Sequence, residues 1–146
     1  MRLDAPVSTI MTAGPETVGP LTPLLAVREI IFRMRVHHVP VVSGKQLIGI
    51  VSSNDLLRVG PEGRFASVGR VDAVFEGMPA RDAMTPDPVV LAPSDPIRRA
   101  IELLREGSFG SLPVVDDGEL VGIVTVSDVL GLVLDSDQHD RAHALA

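Results

Sequence analysis

Displaced by 73 residues, this chain lies on top of itself. Gly49-Ile50-Val51 meets Gly122-Ile123-Val124, an offset of 122 − 49. The same offset brings Met11-Thr12 onto Met84-Thr85, Pro15 onto Pro88, Pro23 onto Pro96, Glu29 onto Glu102, Pro40-Val41-Val42 onto Pro113-Val114-Val115, Leu47 onto Leu120, Asp55 onto Asp128 and Leu57 onto Leu130. The match opens at Pro6 and Pro79 and needs no gap, as a duplicated segment would give. Such a repeat limits architecture before any other signal, because each copy must form the same supersecondary unit and neither need bury its apolar face alone.

Each copy carries the same punctuation. After Met-Thr comes a short extended piece, then Thr22-Pro23 or Asp95-Pro96, which predicts an N-cap residue followed by proline in the first helical position. Leu24, Val27 and Ile31 in one copy, and Ile97, Ala100, Ile101 and Leu104 in the other, recur at helical spacing, with Gly107 as the stop. "HVPVV-SGKQ-LIGIV" and "LPVV-DDGE-LVGIV" read as two strands around a glycine-bearing turn, and a second helix follows each. The order per copy is strand, helix, strand, strand, helix. The predicted boundaries are 1–58 for the first repeat, 59–78 for a Gly-rich linker ending in a short helix, 79–134 for the second repeat and 135–146 for a flexible polar tail.

Composition narrows the function classes. A chain of 146 residues suits one compact domain or two small halves sharing a core. With 45% hydrophobic residues, 3% aromatics and neither Trp nor Tyr, that core is aliphatic, which favours the α/β (α+β) class. A net charge of −6 offers no broad basic surface, so no nucleic-acid partner is expected. The lack of cysteine excludes disulfides, thiol nucleophiles and Cys-ligated zinc. Asp4 and Pro6 interrupt what a signal peptide would need, and "VLGLVL" is far shorter than the ~20 residues that span a bilayer. A cytoplasmic protein without membrane association is the expectation.

Met-Thr, Pro-Val-Val, a strand glycine and [S/T]-x-x-D, present twice in register from about Pro6 to Leu130, resemble a tandem pair of cystathionine β-synthase (CBS) domains, the arrangement called a Bateman module. The resemblance implies two βαββα repeats packed sheet to sheet about a pseudo-twofold axis, with clefts between them. It also implies a regulatory module that binds an adenosine-containing ligand and signals to a partner.

Ser52 with Asp55, and Thr125 with Asp128, have two readings. As a capping box, the hydroxyl accepts a free backbone N–H while the acid reaches back to the cap residue, and no ligand is needed. As a ligand site, Gly49 and Gly122 mark a close approach within a strand, the helix start offers N–H groups to a phosphate, and the acid accepts from ribose hydroxyls. The resemblance gives the ribose to Asp55 and Asp128 and the phosphate neighbourhood to Ser52 and Thr125. It draws the walls around adenine from Val18 and Val90, from His38-Val39-Pro40 and from Ser111-Leu112-Pro113, with ordinary core as the other reading of the valines and leucine. His37-His38 align with Gly110-Ser111, so the first copy offers imidazoles that could reach a phosphate where the second offers almost no side chain. The two sites are therefore expected to differ. Arg33 and Arg35 read as a solvated helix face.

His139 and His143 stand four apart among Asp135, Asp137 and Asp140, but a polar tail explains them without a metal. No nucleophile–base–acid set is visible, so no enzyme and no catalytic cofactor are expected. The leading expectation is a stand-alone regulatory module for an adenine nucleotide of the AMP, ADP or ATP type, read by an unknown protein partner. The alternatives are an assembly module with no physiological nucleotide and a sensor of S-adenosylmethionine. Val71, Val74, Phe75 and Met78 form a helical stripe with no place in either repeat, and Leu130, Val133 and Leu134 extend another. Together they predict a homodimer.

Overall fold

A computed structural model of the chain describes residues 2–61, 67–107 and 110–145. In chain order the elements are β1 (Thr12–Ala13), α1 (Leu24–Met34), β2 (His38–Ser43), β3 (Gln46–Ser52), α2 (Ser53–Val59), α3 (Val68–Gly77), β4 (Thr85–Pro86), α4 (Ile97–Glu106), β5 (Ser111–Asp116), β6 (Glu119–Thr125) and α5 (Val126–Leu145). They gather into two compact units. A central unit comprises Pro15–Pro88, and a terminal unit combines Met1–Gly14 with Val89–Ala146. Each unit takes the helices and hairpin of one copy and the leading Met-Thr segment of the other.

That exchange follows from the strand glycines. In the central unit β4 pairs antiparallel with β3, Gly49 opposite Pro86 and Ile50 opposite Thr85. In the terminal unit β1 does the same to β6, Thr12 opposite Ile123 and Ala13 opposite Gly122. A Cβ on Gly49 would meet the Met84 side chain and stand 3.0 Å from the Thr85 carbonyl oxygen, and one on Gly122 would meet Met11 and stand 3.1 Å from that of Thr12. The close approach expected at these glycines is thus made by the chain itself, which removes them as a sign of a ligand.

In each unit a hairpin carries the sheet. β2 pairs with β3 and β5 with β6, both antiparallel and joined by two residues. Gly44 alone turns to positive φ in the first, at 62°, as a type II′ turn requires, whereas Asp117 and Gly118 both do so in the second, at 51° and 82°, the type I′ pattern. The predicted first strand reduces to one parallel bridge, Val18 to Val41 and Leu91 to Val114. Valines at alternate positions, Val39 and Val41 with Val51, meet Leu24, Val27, Ile30 and Ile31 of α1 in the central core. Leu112, Val114 and Val124 meet Ile97 and Ala100 of α4 in the terminal one. Both cores are aliphatic apart from Phe75.

Three sequence expectations change. Thr22 and Asp95 do not cap the helices; their side chains accept from the backbone N–H three residues earlier, Gly19 at 3.1 Å and Ala92 at 2.8 Å. The first helical N–H groups are met by the exchanged segments instead, Leu24 donating to Met78 O at 2.8 Å and Ile97 to Ala5 O at 2.9 Å. Second, the stripe of α3 is not free. Phe75 is buried and Val71, Val74 and Met78 pack on the central core, while Arg28 of α1 holds Asp72 at 2.6 Å and lies 5.5 Å from the Phe75 ring centroid. Third, α5 continues to Leu145 through the segment expected to be a flexible tail. Nothing between Leu132 and Leu145 is Gly or Pro, and Asp137 pairs with Arg141 one turn on at 3.1 Å. Part of the predicted linker, residues 62–66, lies outside the described residues. Among the described residues no helix is long and apolar enough to cross a membrane.

Candidate functional site

The candidate residues gather where a hairpin strand turns into a helix. Ser52 ends β3 with extended backbone and so becomes the N-cap of α2. Asp55 N donates to Ser52 Oγ at 3.2 Å, while Asp55 Oδ2 accepts from Ser52 N at 2.8 Å and from Ser52 Oγ at 3.0 Å. Thr125 and Asp128 repeat the arrangement at 3.3, 2.8 and 3.1 Å. Both pairs are therefore capping boxes, each hydroxyl contributing about 1 kcal/mol to its helix. The box holds each carboxylate by Oδ2 and leaves Oδ1 for other work.

The two Oδ1 atoms differ in their neighbours. Arg58 Nη2 lies 3.3 Å from Asp55 Oδ1 and donates to Ala83 O at 3.1 Å. The counterpart of Arg58 is Gly131 (131 − 58 = 73), and among the described residues no cation pairs with Asp128.

Beside the central box stand the two imidazoles. His38 pairs with Ser52 across the ladder. His37 accepts through its carbonyl from Ser53 N at 2.9 Å, and its Nδ1 lies 3.4 Å from Ser53 Oγ. Burial lowers the His38 pKa below the usual histidine value, the neighbouring His37 adds to the lowering, and Asp55 opposes both. In the terminal unit Ser111 takes this position, opposite Thr125. It is 7% exposed, and its Oγ has no hydrogen-bond partner among the described residues. A buried hydroxyl left this way costs about 1–3 kcal/mol.

The expected adenine walls are placed more deeply than a pocket lining. Val18 and Val39 belong to the central core and Leu112 to the terminal one. Pro40 and Pro113 are buried, and their carbonyls accept from Val18 N at 3.1 Å and Leu91 N at 2.9 Å. The residue matching Val18 is thus Leu91. Val90 precedes it and is 43% exposed, because the repeat pairs Val90 with Thr17 instead. Arg33 pairs with Glu16 at 2.7 Å on the surface, and Arg35 closes α1 in a left-handed conformation with φ 54°.

Ser53 escaped the sequence reading although it joins His37 to the helix start. The signal lay inside the motif, since the variable residues of [S/T]-x-x-D form the first helical turn. In the central unit two of the N–H groups expected to be free are already used, Ser53 N by His37 O and Asp55 N by Ser52 Oγ. Among the described residues no three His, Asp or Glu side chains are grouped to hold a metal, and nothing is described of the His143 side chain.

The CBS domain family model matches residues 7–62 and again 80–135. The chloroplastic CBS domain-containing protein CBSX2 of Arabidopsis thaliana is 31% identical over 137 residues, covering 80% of this chain and 58% of that one. A crystal structure of CBSX2 in complex with AMP matches with a TM-score of 0.78 at 31% identity, over 90% of this chain and 97% of the other. Inosine-5′-monophosphate dehydrogenase of Thermoplasma acidophilum is 29% identical over 123 residues, 84% of this chain but 22% of the enzyme. The chain thus spans less than two thirds of the length of these curated relatives.

Proposed function

Since this chain belongs to the CBS domain family, we propose that it is a regulatory CBS pair that binds an adenine nucleotide in each unit and acts through a protein partner, without catalysis of its own. The duplicated carboxylate carries the reading: Asp55 and Asp128 are both tied by Oδ2 to a helix cap, which fixes a second oxygen as an acceptor for ribose hydroxyls. The AMP complex of CBSX2 supports the choice of ligand class. His37 and His38 supply the phosphate side in the central unit, whereas Ser111 offers an unengaged hydroxyl in the terminal one. On this reading the exposed Val90 meets the base in the terminal unit, while Pro40 and Pro113, buried and with carbonyls already engaged, back the sites from within.

A thermal-shift panel of AMP, ADP, ATP and S-adenosylmethionine tests this, because a ligand that binds the folded state raises its apparent melting temperature. AMP or a related nucleotide is expected to raise it, and Asp55→Ala with Asp128→Ala together to abolish the rise. A response to S-adenosylmethionine alone would change the ligand class. No response to any of the four would favour the assembly module.

The protein is further proposed to be a homodimer. With the α3 stripe covered, the support narrows to α5, where Leu130 is 58% and Leu134 63% exposed. Light scattering after size exclusion is expected to give twice the 15.5 kDa chain mass. A monomer mass persisting with saturating nucleotide would refute it.

A further inference from the structure

We propose that Arg58 weakens nucleoside binding in the central unit by competing for Asp55, a handicap that the terminal site at Asp128 does not carry. The inference rests on the reading of both acids as ribose acceptors. Arg58 stands one turn beyond Asp55 on α2, with Nη2 at 3.3 Å from Oδ1 and 3.1 Å from Ala83 O.

Orienting the carboxylate is not its task. Asp128 has the same bonds to its cap, at 2.8 and 3.1 Å against 2.8 and 3.0 Å for Asp55, with Gly131 where the arginine would be. What Arg58 changes is Oδ1, the oxygen that the box leaves to a ribose hydroxyl. A guanidinium N–H already there must be displaced or shared, which reduces what the hydroxyl gains. The Ala83 carbonyl gives the displaced guanidinium a partner to keep, so the exchange costs one contact and leaves the side chain anchored. The arginine is 62% exposed, so the pair has surface strength and its effect is about two- to fivefold in affinity, fading as salt rises.

The reciprocal swap is available. A Cβ on Gly131 would have no heavy atom within 4 Å, and arginine is the better helix former, so Gly131→Arg fits without disturbing α5. Calorimetry with adenosine and with AMP reads the outcome in two backgrounds. With Asp128→Ala isolating the central site, Arg58→Gln and Arg58→Gly are each expected to tighten adenosine about two- to fivefold. The glutamine variant keeps the helix if glycine loosens it. With Asp55→Ala isolating the terminal site, Gly131→Arg is expected to weaken adenosine by a similar factor, less so at high salt. Unchanged or weaker adenosine binding on loss of Arg58, with the central site still binding, would overturn the competition while sparing the ribose reading. If neither adenosine nor AMP bound the wild-type chain, the ribose reading would fall and this inference with it.

Discussion

The junctions β3–α2 and β6–α5 are the same motif in two settings. Both close a capping box with bond lengths that agree to within 0.1 Å. Around the box nearly everything differs: two imidazoles and an arginine in the central unit, an orphaned serine hydroxyl and a glycine in the terminal one. A helix cap fixes its own carboxylate whatever stands nearby. The surroundings are consequently free to diverge without loss of the acid, and duplication followed by divergence yields two unequal junctions on one backbone.

The largest effect is expected where the units agree. Gly49→Val and Gly122→Val each drive a side chain into a methionine and a neighbouring backbone carbonyl, and should cost about 1–3 kcal/mol apiece in chemical denaturation. A small loss at one glycine alone would mean that the two exchanged segments pack unequally. Next come the caps. Ser52→Ala and Thr125→Ala should each cost about 1 kcal/mol with no ligand present, and similar losses would confirm that capping is independent of the surroundings.

The remaining predictions sharpen the contrast. Ser111→Ala removes a hydroxyl that has no partner among the described residues, so the ligand-free protein should gain up to about 1 kcal/mol, while His38→Ala opens a gap and should lose stability. A loss at Ser111 would show that its hydroxyl is engaged in solution. Last is pH. The His38 pKa is lower folded than unfolded, so between the two values the unfolded state binds more protons and stability rises with pH. On acidification stability should therefore fall as pH passes below the ordinary histidine value, and level off once the folded pKa is passed. His38→Ser, the residue of the other copy, should flatten that part of a denaturation-against-pH profile. An unaltered slope would assign it to other groups.

Much of this was legible in the sequence because duplication writes each signal twice. The hairpins, the apolar stripes of α1 and α4 and the [S/T]-x-x-D boxes are local features, and local periodicity carries them. What periodicity cannot carry is partnership. Met11-Thr12 and Met84-Thr85 are identical, so nothing in either says which strand glycine it will cover, and the exchange between copies appears only in the sheet register. The cap at Thr22-Pro23 fails for the same reason, since the competing acceptor, Met78 O, lies 54 residues further on (78 − 24). Phe75 read as unhoused because Arg28 and Gly60, which receive it, belong to segments that no spacing rule links to it. At the site, the acids were legible through their boxes, whereas the asymmetry at Arg58 needed a carbonyl from the exchanged segment.

The exchanged segments also put the two units on different clocks. Ile50 and Thr85 are 35 residues apart (85 − 50), whereas Thr12 and Ile123 are 111 apart (123 − 12). Closing the longer loop costs roughly 1 kcal/mol more by the logarithmic dependence on length, and such distant pairings form late. On the ribosome, the central unit has all its strands once residue 88 has emerged, while Thr12 and Ala13, made before it, wait for β6. Until then Val7 and Met11 have no core to enter, and this stretch of chain stays open to a chaperone or to the same strand edge on a neighbouring copy.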